Sequence, residues 1–235
     1  SDCIIYPSQA LRELSSPYTN PNTREHVIPD PWQLERSHQP RDLKDGETLK
    51  IIWFGSNKNI QYLWEHMPSI LETTLHNGKI ELTILAQEWA IKQIKKCFGS
   101  LNKSYPNWII RFVRWKIDQQ PQQLEAEISR AHICLVPSDP TDPLKIGVSH
   151  NRIVDAVKGG CIVAASPMKS YLELSEIATL DKNIAELLNY CIKNYTLLAK
   201  KLITNRDRCL ERFNPAINQS NWNEAWKKIL DKKHE

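Results

Sequence analysis

No uninterrupted apolar run in the sequence approaches the ~18–20 residues a membrane-crossing helix needs, so the chain has no candidate transmembrane span. The opening Ser1-Asp2-Cys3-Ile4-Ile5-Tyr6 has no basic stretch ahead of an apolar one, so it lacks a secretory-signal layout. It reads instead as a strand, and we expect the chain to be a fragment that starts inside a larger fold. The six cysteines, Cys3, Cys97, Cys134, Cys161, Cys191 and Cys209, form no close pair and no Cys-x-x-Cys. That removes the clustered ligands of a zinc site, and no metal is expected. Three of them sit in apolar strand-like runs, where a free thiol behaves as a small hydrophobe. A reduced, cytoplasmic setting fits this usage. A glycine-rich dinucleotide fingerprint is missing after the first regular strand, which argues against NAD chemistry. Ser166 is not set in Gly-x-Ser-x-Gly, so a hydrolase elbow is missing too. Net charge is only +4 and the pI about 8.7. The densest basic runs, Lys92, Lys95, Lys96 and then Lys227, Lys228, Lys232, Lys233, read as solvated helix faces, and nucleic acid is not an expected partner.

What remains is an ordinary globular composition. The chain has 235 residues, 41% hydrophobic and 25% charged, enough for one large α/β domain or two small ones. Its eight tryptophans are scattered. Trp53 and Trp108 fall in strand-like runs and Trp222 and Trp226 at helical spacing, so core or domain-packing roles are expected. Residues 1–7 read as a strand, and Ser8 is a plausible cap for a helix from Gln9 to about Ser15. Residues 33–48 are polar and read as a linker. From Leu49 strands and helices alternate. Strands are expected over 50–54, 80–86, 108–115, 132–136, 161–165 and 177–180. Helices are expected from Ile60 with Pro68 as a break or restart, over 88–98 stopped at Gly99, over 124–130, and from about Ser149 to Lys158. Beyond that, helices are expected over 182–204, 206–213 and 221–231. Near-continuous apolar strands separated by helices argue for a Rossmann-like, doubly wound parallel sheet with extra C-terminal helices. The expected division is 1–48, 49–181 and 182–235.

In open α/β sheets ligands bind beyond the carboxyl ends of the strands. Two loops stand there. Gly55-Ser56-Asn57-Lys58-Asn59 follows the first regular strand; Gly55 would let a phosphate or sugar approach the backbone closely, or the loop is a plain turn. The second is 131–173, which holds three of the seven glycines between 147 and 160. A loop feeding a helix N-terminus offers backbone N–H groups and the positive dipole end to a diphosphate. Lys145 supplies a point charge and Arg152 a bidentate donor. Ser149 either caps the helix or donates its hydroxyl. His150 either touches the ligand or is structural. Asp155, about a turn and a half further on, could accept from ribose hydroxyls.

These segments resemble the C-terminal, donor-binding domain of GT-B glycosyltransferases of the glycosyl transferases group 1 family. The resemblance rests on Ile133-Cys134-Leu135-Val136-Pro137-Ser138, Ser149-His150-Asn151-Arg152-Ile153-Val154-Asp155-Ala156, Gly160-Cys161-Ile162-Val163-Ala164-Ala165-Ser166 and Tyr171-Leu172-Glu173. Asp2-Cys3-Ile4-Ile5-Tyr6 and Val27-Ile28-Pro29-Asp30 resemble the family's last N-terminal-domain strand and its interdomain segment.

The resemblance implies a hexosyltransferase-type enzyme that moves a sugar from a nucleoside-diphosphate sugar to a hydroxyl of an acceptor glycan or small molecule. No cofactor is implied. Lys145 and Arg152 would be the catalytic cations that offset the leaving diphosphate. Gly55, Ser56, Trp115, Pro137, Ser149, His150, Asn151 and Asp155 would bind the donor, Trp115 and Pro137 at the base. Peripheral membrane association of a full-length parent is compatible with it. One departure stands out. The family often shows two glutamates with seven residues between them; Asp155 takes the second place, but Gly147 stands in the first. Asp139 or Asp142 could substitute through a shifted loop. The expected alternative is a non-catalytic or degenerate nucleotide-sugar-binding module, and little turnover is expected of this chain alone.

Overall fold

A computed structural model of the chain describes residues 3–98, 104–143 and 145–230. The readings made above for Ser1, Asp2, Gly99, Lys232 and Lys233 lie outside these residues.

The sheet grows from β3 (Leu49–Phe54), whose Leu49, Ile51, Ile52 and Trp53 are fully buried. A strand apolar on both faces needs cover on both, which suits a central place under helices. The chain then builds outward through α2 (Ile60–Thr73), β4 (Ile80–Ala86), α3 (Glu88–Phe98) and β5 (Trp108–Arg114). It next returns to the other side of β3 with α4 (Gln122–Ile128), β6 (Ile133–Val136), α5 (Asn151–Lys158), β7 (Ile162–Ala165) and β8 (Thr179–Leu180). The order is β5-β4-β3-β6-β7-β8 and every pairing is parallel. The outer strand β5 is partly open to solvent and carries Arg111, which pairs with Glu127 and, at 3.4 Å, with Glu81; a charged edge discourages pairing with another chain.

α2 runs through Pro68 without a break. Pro68 is exposed, while Tyr62, Leu63, Met67, Ile70 and Leu71 are buried on the opposite face, and that apolar stripe carries the helix past the missing hydrogen bond. After the sheet come α6 (Ile184–Lys193), α7 (Tyr195–Leu210) and α8 (Pro215–Leu230). Asn194 separates α6 from α7 where one continuous helix was expected. Trp53 and Trp108 are buried as expected, but Trp222 and Trp226 lie on the solvent side of α8. His132, just ahead of β6, is fully buried: its Nδ1 accepts from Lys50 N–H at 2.9 Å and its Nε2 lies 3.2 Å from the Asp42 carbonyl.

β1 (Cys3–Tyr6) and β2 (Arg24–Val27) form a separate two-stranded parallel sheet, with α1 (Gln9–Ser15) capped by the Ser8 hydroxyl, as its sequence position predicts. Between β2 and β3 the chain lies as a strap over α4, α5 and α7. Its backbone is held by side chains: the Asp155 carboxylate takes Gln33 N–H at 2.8 Å, Glu125 takes Glu35 N–H at 3.0 Å, and Tyr195 donates to the Arg41 carbonyl at 2.7 Å. Leu34 enters the main core. Gly160, with φ +87°, lets the strap pass: a Cβ there would sit 2.6 Å from the Gln39 carbonyl oxygen. Among the described residues no helix is long and apolar enough to cross a membrane.

Candidate functional site

β3 and β6 are neighbours, but the chain leaves them toward opposite sides of the sheet, so their following loops diverge and open a crevice. A cavity of about 560 Å³ fills it. Five strand ends contribute: Phe54 at the end of β3 with Gly55 and Ser56 after it, Gln87 after β4, Trp115 and Gln120 after β5, Lys145, Val148, Ser149, Asn151 and Arg152 after β6, and Tyr171 after β7. That volume suits a small molecule of nucleotide size.

The loop from β6 to α5 is built by short-range bonds. Asp139 accepts from Thr141 N–H and Oγ1, at 2.8 and 2.7 Å, and Asp142 accepts from the Tyr62 hydroxyl at 2.5 Å. Both carboxylates are therefore engaged in shaping the loop, and neither lines the cavity. Gly147 is pressed against α1: a Cβ there would lie 2.4 Å from Leu11 Cδ1. α5 starts at Asn151, its first turn closed on the His150 carbonyl by Ile153 and Val154 N–H, at 2.9 and 3.0 Å. The Ser149 hydroxyl accepts from Asn151 N–H at 3.4 Å.

Of the residues singled out from sequence, Gly55, Ser56, Trp115, Lys145, Ser149, Asn151, Arg152 and Asp155 share this one cavity. Pro137 and His150 do not line it. Pro137 is buried at the end of β6. His150 is 1% exposed, with its ring edge-on to Phe213 at 5.2 Å and Nε2 3.4 Å from Glu173, which also holds Arg212 at 2.8 Å. Sequence reasoning missed Gln33, Phe54, Gln87, Gln120, Leu124 and Val148 as lining residues, and it had Asn59 in the candidate loop and Tyr171 in the family motif without giving either a binding role. Asn59, Gln87 and Gln120 follow strands and were within reach of the strand-end rule. Gln33 comes from the strap, and no local pattern signals it.

The electrostatics are one-sided. Lys145 Nζ donates to Asn59 Oδ1 at 2.6 Å and lies 5.5 Å from the Tyr62 ring centroid; burial and then the neighbouring Arg152 charge hold its pKa below the usual lysine value. Arg152 Nη2 donates to the Tyr171 hydroxyl at 3.4 Å, while its Nη1 is buried with no hydrogen-bond partner. Among the described residues neither cation has a carboxylate within 4.0 Å. Among the described residues the one acid lining the cavity is Asp155, 1% exposed. Burial raises its pKa to about 7, against the lowering effect of Gln33 N–H, the Lys158 charge and Leu34 N–H. The site thus presents two cations, one of them with an unsatisfied buried donor, to whatever anion enters.

No known protein-family signature matches the chain, and neither does any curated protein. Solved structures do. The Anabaena protein HepE, in complex with UDP and glucose, aligns with TM-score 0.70 and 14% identity over 96% of this chain and 63% of HepE. Sucrose-phosphate synthase from Thermosynechococcus elongatus aligns with TM-score 0.69 and 17% identity, over 99% of this chain and 59% of that enzyme. WaaG, a glycosyltransferase involved in lipopolysaccharide biosynthesis, aligns with TM-score 0.57 and 12% identity, over 86% of this chain and 58% of WaaG. The chain therefore shares the fold of a part of GT-B glycosyltransferases, and it spans less than two thirds of the length of these proteins.

Proposed function

We propose that this chain is the donor-binding part of a glycosyltransferase, and that its cavity holds a nucleoside-diphosphate sugar whose sugar passes to an acceptor hydroxyl. The observation that carries the proposal is the pairing of Lys145 with Arg152, whose Nη1 is buried and unsatisfied, on one cavity at the N-terminal turn of α5. A diphosphate supplies the acceptors such a donor lacks. As the sugar leaves, charge builds on the diphosphate, and fixed cations in a water-poor site stabilise it without reorganising. Trp115 and Leu124 offer apolar surface to the base, and Ser149 and Asn151 offer polar contacts nearer the phosphates. HepE was solved with UDP and glucose, which supports a nucleotide-sugar ligand here by likeness of fold. The division into 1–48, 49–181 and 182–235 and a cytoplasmic setting belong to the same proposal; the free Cys134, Cys161 and Cys191, all buried, agree with a reducing compartment.

A second reading, a non-catalytic nucleotide-sugar-binding module, is favoured by one observation. Gly147 is filled against Leu11, and Asp139 and Asp142 are engaged away from the cavity, so Asp155 is the one carboxylate at the site among the described residues. Calorimetric titration of UDP, GDP and ADP into the wild type and Arg152→Ala tests the shared premise. One diphosphate should bind, and the variant should lose about 1.5–3 kcal/mol, the cost of a hydrogen bond to a charged group. Equal binding by the variant would remove Arg152 from the site. Sugar transfer or its absence in the full-length parent then separates enzyme from module.

A further inference from the structure

Tyr62, in the first turn of α2, touches both ends of one turn in the loop between β6 and α5. It is 4% exposed and does not line the cavity. Its hydroxyl donates to Asp142 Oδ2 at 2.5 Å, and its ring centroid lies 5.5 Å from Lys145 Nζ. Asp142 and Lys145 are themselves joined by a turn, in which Lys145 N–H donates to the Asp142 carbonyl at 2.9 Å. Residues three apart in such a turn are brought close together, and an ammonium and a carboxylate so placed attract each other.

The pair nevertheless does not form. Among the described residues no carboxylate lies within 4.0 Å of Lys145, whose Nζ goes to Asn59 Oδ1 at 2.6 Å. The Asp142 charge still reaches Lys145, where it acts against the lowering of the lysine pKa by burial and Arg152. Lys145 lines the cavity and Asp142 does not. A lysine ammonium is a point charge on a flexible stem, so a carboxylate able to swing onto it would compete with any anion that enters. The charge-assisted bond from the Tyr62 phenol ties Oδ2 to α2 and opposes that swing. The Tyr62 ring adds a weaker hold on the ammonium that leaves its charge uncompensated.

We propose that Tyr62 is a positioning residue that keeps the Asp142 carboxylate from pairing with Lys145, and so reserves the Lys145 charge for the anionic ligand of the cavity. The loop thus carries its own competitor for the phosphate site, and one hydroxyl on α2 holds it off. This rests on the nucleotide reading above.

The test is calorimetric titration of whichever of UDP, GDP and ADP binds the wild type most tightly. It is titrated into Tyr62→Phe, Asp142→Asn, the double variant of these two, and Lys145→Ala with and without Tyr62→Phe. Phenylalanine keeps the buried ring and removes the hydroxyl alone. Tyr62→Phe should weaken binding about fivefold, the scale on which a partly exposed ion pair competes. Asp142→Asn should bind at least as well as the wild type. The double variant should return to within about twofold of the wild type, because the competing charge is gone. In the Lys145→Ala background Tyr62→Phe should cost nothing further. If Tyr62→Phe binds like the wild type, the inference falls and the nucleotide site stands. If the double variant stays as weak as Tyr62→Phe, or the loss persists without Lys145, the hydroxyl merely shapes the loop and the inference falls. If the wild type binds none of the three diphosphates, the nucleotide reading falls and the inference with it.

Discussion

Asp155→Asn carries a sharp prediction for stability. In the native chain two opposing effects act on this carboxyl. Burial disfavours its charge; the Gln33 and Leu34 amides and the Lys158 ammonium favour it. Burial wins, and the pKa rises from 3.8 to about 7. The folded state therefore holds the proton more tightly than the unfolded chain does. The resulting stability is complete below about pH 3.8 and is lost as pH rises through about 7. At 1.36 kcal/mol per tenfold change the total is roughly 4 kcal/mol, delivered at about 1.4 kcal/mol per pH step between 4 and 7. Asparagine has no proton to lose but keeps an oxygen for Gln33 N–H. Urea unfolding of both proteins at pH 5, 6, 7 and 8 isolates the effect, because every other titrating group is common to both. The wild type should lose about 2–3 kcal/mol relative to the variant between pH 5 and 7, and the difference should level off above 8. A difference that stays flat, or that turns in favour of the wild type as pH rises, would show that the amides and Lys158 outweigh burial, and would refute the reasoning.

Two glycines offer a controlled comparison of backbone strain with packing. Gly46 and Gly160 both have positive φ, at +74° and +87°, but a Cβ at Gly46 meets nothing within 4 Å whereas one at Gly160 meets the Gln39 and His38 backbone. Gly46→Ala should cost about 1–2 kcal/mol, the left-handed penalty alone, and Gly160→Ala about 3 kcal/mol or more, because fixed backbone must also move; thermal unfolding of the pair checks this, and equal costs would mean the strap is not seated on Gly160. Gly147→Ala should cost about 1–2 kcal/mol through its contact with Leu11. Pairing it with Leu11→Ala in a double-mutant cycle should recover part of that cost, and strict additivity would mean the two do not touch.

Much of the architecture could be read from the chain. The runs at 51–54, 84–86 and 133–136 are apolar without alternation, and burial on two faces under helices is the arrangement that satisfies them. The strand-end rule located the crevice, and Lys145, Ser149, Asn151 and Arg152 were legible because a loop feeding a helix start is local. Helix breaks were less so. Pro68 marks a break by its own chemistry, but the buried face of α2 overrides it. Asn194 carries no strong stop signal and still ends α6.

The strap was not legible at all. A polar stretch such as 33–48 has the composition of a linker because most of its side chains face solvent; its order comes from backbone groups captured by Asp155, Glu125, Tyr195 and His132, residues 90 to 154 positions away along the chain. The amino-acid sequence by itself determined the parallel α/β sheet, the place of the crevice and the pair of cations beside it, since each follows from periodicity and charge within a few residues. Only the tertiary structure decided that Gly147 is packed on Leu11, that His150 lies off the cavity lining, and that Asp155 Oδ1 accepts from the strap at Gln33 N–H. Each of these depends on which distant segment fills the neighbouring space, and distance along the chain leaves no local mark of it.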